Sequence, residues 1–209
     1  MVILLLMVFF VLDGVGVFLA KAIKISDQDV YNQNYKSVFN WLNENTPPDS
    51  VVYANKEISN LIPVYTANNV FYSRFANLFI MSDKEVIERF VLNNYFEDFD
   101  KDFVIENERA IWGVRYIDRY GDAVQANKWR EALGLKLKAQ IRLPEEEINK
   151  VIIEVRKLQD LKLEAGLKDY RVDYLVWDKG KNPYWKVDER VFKKIAEINQ
   201  FSIFSPYPD

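Results

Sequence analysis

The hydrophobic pattern divides the chain early. Residues 1–20 read MVILLLMVFFVLDGVGVFLA, with Asp13 the only charged side chain. A helix of that length rises about 30 Å, which matches the hydrocarbon core of a bilayer. Asp13 would cost roughly 2.5–3.5 kcal/mol at mid-span, and the many Leu, Ile, Val and Phe residues each return about 0.3–0.6 kcal/mol. A signal peptide would begin with Lys or Arg and end in a small-residue cleavage site, and neither is present. The run is apolar all round, unlike a core helix with its polar stripe. A hairpin turning at Asp13-Gly14 would need long arms without alternation. The pattern predicts a transmembrane helix over 1–24 and one water-facing domain over 25–209. Asp13 is best tolerated against other helices. Gly14 and Gly16 fit either close helix approach or plain tolerance of Gly in a span. With Met1 at the edge of the apolar run, the expectation is the last span of a longer, polytopic protein. Lys21 and Lys24 alone would place the domain in the cytoplasm.

Beyond Lys24 the periodicity becomes that of a soluble fold. Tyr31, Tyr35, Val38, Phe39 and Leu42 share one helical face over 27–45, and Thr46-Pro47-Pro48-Asp49 stops it. Val51-Val52-Tyr53-Ala54 reads as a buried strand. A short helix over 57–61 is expected to end at Pro63, with two short strands at 64–66 and 70–72. Ser82 and Glu85 make a capping-box start for a helix running to about Phe96. Residues 97–143 are the least regular and suit an insertion; 110–115 reads as a strand and 129–137 as a short helix. Pro144 opens the clearest helix, with Glu145, Glu146 and Glu147 at the positive end of its dipole. Ile148, Val151, Ile152, Val155 and Leu158 make its buried face, and Gly166 ends it. Residues 170–177 (YRVDYLVW) read as a central strand buried on both faces. A last helix over 188–199 and a strand over 201–204 close the pattern. Helix and strand in alternation predict an α/β class: a small mixed, mainly parallel, sandwich-like α/β domain.

Composition narrows the chemistry. The soluble part is long enough for one real core. Net charge is −3, which gives no electrostatic case for nucleic acid. The chain has neither Cys nor His. Disulfides, thiol catalysis, Ser-His-Asp hydrolysis and His- or Cys-ligated metal sites are therefore excluded. Chemistry would fall to carboxylates, Lys, Arg or Tyr, and the sequence calls for no cofactor.

Four carboxylates are candidates. Asp98, Asp100 and Asp102 form two overlapping D-x-D pairs, a spacing that can hold a divalent cation and a nucleotide-sugar diphosphate. A solvated loop explains the same stretch. A calcium loop does not, since Gly is missing at its sixth position and Arg109 stands at its twelfth. Asp178 stands at the carboxyl end of the predicted central strand, where α/β sites form, but the turn behind it needs an Asp in any case. Lys128, Arg130, Lys136, Lys138 and Arg142 with Trp129 form a basic run that could rest on anionic head groups or simply face solvent.

One stretch carries a family resemblance. Residues 35–72, YKSVFNWLNENTPPDSVVYANKEISNLIPVYTANNVFY, resemble the segment after the last membrane helix of bacterial GT-C-type glycosyltransferases, which use polyprenyl-phosphate sugars. The shared positions are Trp41, Leu42, Thr46, Pro47, Asp49, Val51, Val52, Ile62, Pro63, Tyr65, Thr66, Val70 and Phe71. A second echo is V-D-Y-L-V-W at 172–177 with N-x-F-x-I-F at 199–204. The resemblance implies an extracytoplasmic α/β domain, packed on other transmembrane helices, with a glycan or lipid-linked sugar as partner beside the lipid bilayer. The catalytic acid of that family lies in an early outer loop with no counterpart here, so no catalytic residue is carried over.

Overall fold

The computed structural model describes residues 33–78 and 81–205. The predicted membrane helix, 1–24, lies outside the described residues. Among these residues no helix is long and apolar enough to cross a membrane.

Helix α1 (Lys36–Asn45) buries Val38, Phe39 and Leu42, the face that the periodicity predicts. Thr46 ends it, donating from both its N–H and its hydroxyl to the Leu42 carbonyl. Strand β1 (Val51–Ala54) follows, then helix α2 (Lys56–Tyr65), capped by Asn55, whose Oδ1 accepts from the Ile58 N–H at 3.1 Å. Pro63 does not end this helix. Val64 and Tyr65 are helical rather than strand, and the Thr66 N–H and hydroxyl both bond the Ile62 carbonyl at 2.9 and 2.8 Å. A proline loses its own N–H bond and crowds the carbonyl four residues back, which bends a helix rather than ending it when only two residues remain beyond it. Strand β2 is Asn69–Val70.

The remaining helices are α3 (Asp83–Asn93), α4 (Lys101–Glu106), α5 (Glu108–Trp112), α6 (Arg115–Ala132), α7 (Glu145–Gln159) and α8 (Leu163–Leu167). Ser82 caps α3 as predicted, accepting from the Glu85 N–H at 3.1 Å. The strand expected over 110–115 is α5 and the start of α6, with Gly113 at φ 64° between them. The helix expected over 129–137 is only the end of α6, and 135–141 carry no regular structure. Gly166 does not end α7. It sits in α8, where a Cβ would lie 2.5 Å from Leu92 Cδ2, so α8 packs closely on α3 and a larger residue there would have to displace the Leu92 side chain.

Strands β3 (Tyr174–Asp178), β4 (Lys193–Ile198) and β5 (Phe201–Ser205) complete a five-stranded sheet in the order β2-β1-β3-β5-β4. The pairs β1–β2 and β1–β3 are parallel; β3–β5 and β5–β4 are antiparallel. The sheet is mixed, as expected, but the mainly parallel part of that expectation is corrected to an even split of two parallel and two antiparallel pairings. Its cause is β4, where the spacing predicts a helix over 188–199. Ile198 pairs with Phe201, leaving a two-residue hairpin at Asn199-Gln200, with Asn199 at φ 53°. Tight hairpins of this kind favour Asn at positive φ, and the ladder with β5 overrides the helical spacing of Val191, Ile195 and Ile198.

The domain is a mixed α/β fold with apolar cores on both sheet faces. Val52, Ala54, Val176, Phe201 and Ile203 pack against Tyr35, Val38, Phe39 and Leu42 of the α1 segment and Ile58 and Ile62 of α2. Tyr53, Leu175 and Phe204 face the larger layer built from α3 to α8. Neighbours along each strand go to opposite faces, as the pleat requires. β3 is central, with Leu175 and Val176 fully buried, as predicted. Phe90 of α3 anchors the larger core. Its ring centroid lies 5.8 Å from those of Tyr72 and Phe99 and 6.1 Å from that of Phe103. Val104, Ala110, Ile111 and Trp112 join the same core, so α4 and α5 are integral to it.

The sheet's edges are β2, two residues long, and β4, which presents Lys193, Lys194 and Glu197 to solvent. Glu197 bonds both Lys179 and Lys194 at 2.7 Å. Hydrogen bonds from these two ammonium groups hold its carboxyl at about 2. A depressed folded pKa gives stability that is present above the unfolded value and lost as pH falls through the folded one. Thermal midpoints should therefore decline between the ordinary glutamate range and about pH 2, and Glu197→Gln should flatten that decline.

Candidate functional site

In an open α/β sheet the natural crevice lies at the carboxyl ends of parallel strands whose connections diverge. Here it falls between β1, which leads through α2 to β2 on one side, and β3 on the other. The residues just past those ends are Asn55 and 178–182.

These side chains bond one another. Asn55 caps α2 with its Oδ1 and donates from Nδ2 to Asn182 Oδ1 at 2.6 Å. Asn182 Nδ2 donates to the Tyr184 hydroxyl at 3.0 Å, and that hydroxyl donates to Glu97 at 2.6 Å. The Asn182 carbonyl accepts from Trp177 Nε1 at 2.7 Å. Burial, then the hydrogen bond to Glu97, raises the Tyr184 phenol above its usual range. Trp185 stacks on Phe96 with centroids 5.0 Å apart and leans on Tyr53. The crevice is thus knit closed by an Asn55–Asn182–Tyr184–Glu97 chain over an aromatic floor, which holds the two strand ends in register.

Asp178 is fully buried. Its Oδ1 accepts from the Gly180 and Lys181 N–H groups at 3.0 and 3.1 Å and from Gln200 Nε2 at 2.9 Å. One carboxyl oxygen therefore shapes the turn after β3 and ties it to the β4–β5 hairpin. Oδ2 is buried with no hydrogen-bond partner among the described residues.

Beside the crevice, at the carboxyl ends of β1 and β2, lies a small recess whose lining is mostly apolar, with Tyr72, Phe90 and Ala110 beside Lys56, Asn93 and Asn107. Its volume is about 20 Å³. That is room for one water and not for a sugar or nucleotide. Asn93 Oδ1, buried there without a partner among the described residues, gives such a water an acceptor. A wider groove of about 660 Å³ runs between α3, α7 and α8, and along α3 Lys84 pairs with Glu88 within it. Arg89 bonds Glu85 at 2.9 Å and the Phe71 carbonyl at 3.1 Å, and lies over the Tyr170 ring. Tyr170 donates to Glu88 at 2.9 Å. Burial, then that carboxylate, pushes the phenol up.

The D-x-D residues are placed apart from both features. Asp98, Asp100 and Asp102 are all exposed. Asp100 caps α4, its Oδ1 accepting from the Phe103 N–H at 2.7 Å, and Asp102 sits in the first turn of that helix. Among the described residues no group of three His, Cys, Asp or Glu side chains is placed to hold a metal ion. Glu145, Glu146 and Glu147 occupy the first turn of α7 and pair with Lys101 and Lys150. The sequence reading missed Asn55 and Asn182. Asn55 carried a signal, an Asn between a β run and a helical one, which is where caps fall. Asn182 carried none beyond its place in a turn.

No family model matches the chain, and neither a curated protein nor a solved structure does.

Proposed function

We propose that this chain is the carboxy-terminal part of a polytopic membrane protein of the kind that transfers sugars from lipid carriers. It supplies the last span and an extracytoplasmic α/β domain that docks on the membrane bundle and helps to hold the acceptor, while the chemistry belongs to another part of that protein. The carrying observation is the apolar run of residues 1–20 in the sequence ahead of an α/β domain. The residues that bear the family resemblance support the reading through their roles. Leu42 and Ile62 are fully buried, Thr46 closes α1 and bonds Asn68, and Tyr65 stacks on Phe39 at 5.5 Å. Asp49 takes φ 63° in the turn before β1. These are positions that specify a fold, as expected of a docking domain.

Membrane topology tests the reading. The full chain should stay in the membrane fraction at alkaline pH, and a reporter fused after Asp209 should be active only outside the cytoplasm. Release of the chain by alkaline extraction would overturn the span. A reporter active only in the cytoplasm would overturn the orientation, and would favour a single-pass anchored scaffolding domain, as Lys21 and Lys24 suggest.

A further inference from the structure

Helix α6 and the segment behind it leave the core as an arm. Of the eighteen residues of α6, Tyr116 and Asn127 are the buried ones. Tyr116 packs edge-on against Trp112 at the root. Further out the arm fastens to itself. The Asn127 amide bonds both the N–H and the carbonyl of Lys138 at 2.8 Å, and Arg130 Nε donates to the Lys136 carbonyl at 2.6 Å. Arg142 closes the return by pairing with the buried Glu108 of α5. The shape of the arm is therefore held, yet every residue from Glu131 to Arg142 is exposed.

What the arm exposes is unusual. Trp129 is 68 % exposed, Leu133 70 % and Ile141 63 %, and Leu135 and Leu137 are also open. Basic residues alternate with them: Lys128, Arg130, Lys136, Lys138 and Arg142, against the single acid Glu131. The whole chain carries −3, so this positive charge is gathered here against the overall sign. Lys128, Lys136 and Lys138 have no ion-pair partner among the described residues.

We propose that this arm, residues 128–142, is a second membrane contact of the domain and takes anionic phospholipid head groups. The proposal rests on the membrane-anchored reading above, which places the domain beside a bilayer. Trp129 and the leucines suit the boundary between head groups and acyl chains, and the lysines suit anionic phosphates. A second copy fits poorly, because a symmetric contact would set one cationic patch against another. Each lysine near an anionic surface strengthens the contact about five-fold. The arm would set the tilt of the domain over the membrane.

The absence of native cysteine allows a clean test. Full-length chain is labelled with an environment-sensitive fluorophore at one introduced cysteine: Val8→Cys in the leading segment, Leu135→Cys in the arm, or Glu44→Cys as an exposed control. Each is reconstituted in phosphatidylcholine vesicles with and without phosphatidylglycerol. The expected result is lipid-tethered quenching of Leu135→Cys that rises several-fold with phosphatidylglycerol, and its loss when Lys128, Lys136 and Lys138 are changed to Glu. The Glu44→Cys probe should stay in water throughout. A Leu135→Cys probe open to aqueous quencher in the anionic vesicles overturns the arm, even with the Val8→Cys probe in lipid. Shielding that is equal in both vesicle types and grows with protein concentration assigns the arm to a second copy and also overturns it. A Val8→Cys probe in water sinks the anchored reading. The arm is then judged by whether added anionic vesicles shield Leu135→Cys.

Discussion

Phe90→Ala is expected to destabilise the domain by about 3–5 kcal/mol, the range for emptying a buried aromatic site. The ring is 1 % exposed and touches Tyr72 from the segment after β2 and Phe99 and Phe103 from around the start of α4. Only modest collapse is available, because Tyr72 is itself held by a 2.7 Å bond from its hydroxyl to the Ala110 carbonyl. The loss should be largest for α4 and α5, which reach the sheet through this cluster. Hydrogen exchange on the full chain should therefore show protection falling first over 101–112. Denaturant unfolding gives the total, with Leu135→Ala at an exposed position as a control expected within about 0.5 kcal/mol of the parent. Equal stability of Phe90→Ala and parent would mean that this aromatic cluster does not organise the helical layer.

The second large effect is expected at Asp178. Replacing it by Ala strips the acceptor from the Gly180 and Lys181 N–H groups and from the Gln200 amide. A buried donor left unsatisfied costs about 1–3 kcal/mol, and water entering the emptied space recovers part of that, so a net loss of about 3 kcal/mol is expected. Asp178→Asn keeps Oδ1 in place and should stay within about 1 kcal/mol of the parent. Thermal unfolding of the three proteins separates the cases. A group held for turn geometry gives a destabilised Ala variant and a near-parental Asn variant. A group held for its charge would instead show both variants equally altered in whatever the domain binds.

That contrast marks how far the sequence could be read. Strand β1, the core of β3 and the faces of α1, α3 and α7 were legible, because each rests on a pattern sustained over several residues and on local caps such as Ser82. The helix over 188–199 was misread because Val191, Ile195 and Ile198 satisfy a helical period by coincidence, while the deciding feature is long in reach: β5 offers a ladder, and Asn199 supplies the turn that delivers it. Pro63 misled in the opposite direction, since a breaker near the end of a helix has little to break. At the candidate site, Asp178 was located correctly at a strand's carboxyl end, and its turn role was visible in Asp178-Lys179-Gly180. The Asn55–Asn182 contact joins residues far apart in the chain, and no local pattern announces a pairing of that span.

The rims of the sheet have a colloidal consequence. One rim is too short to template a strand, and the other is guarded by Lys193, Lys194 and Glu197. Copies confined at high local density would find no open ladder to extend. Crowding should then leave them as separate particles rather than growing them into fibres.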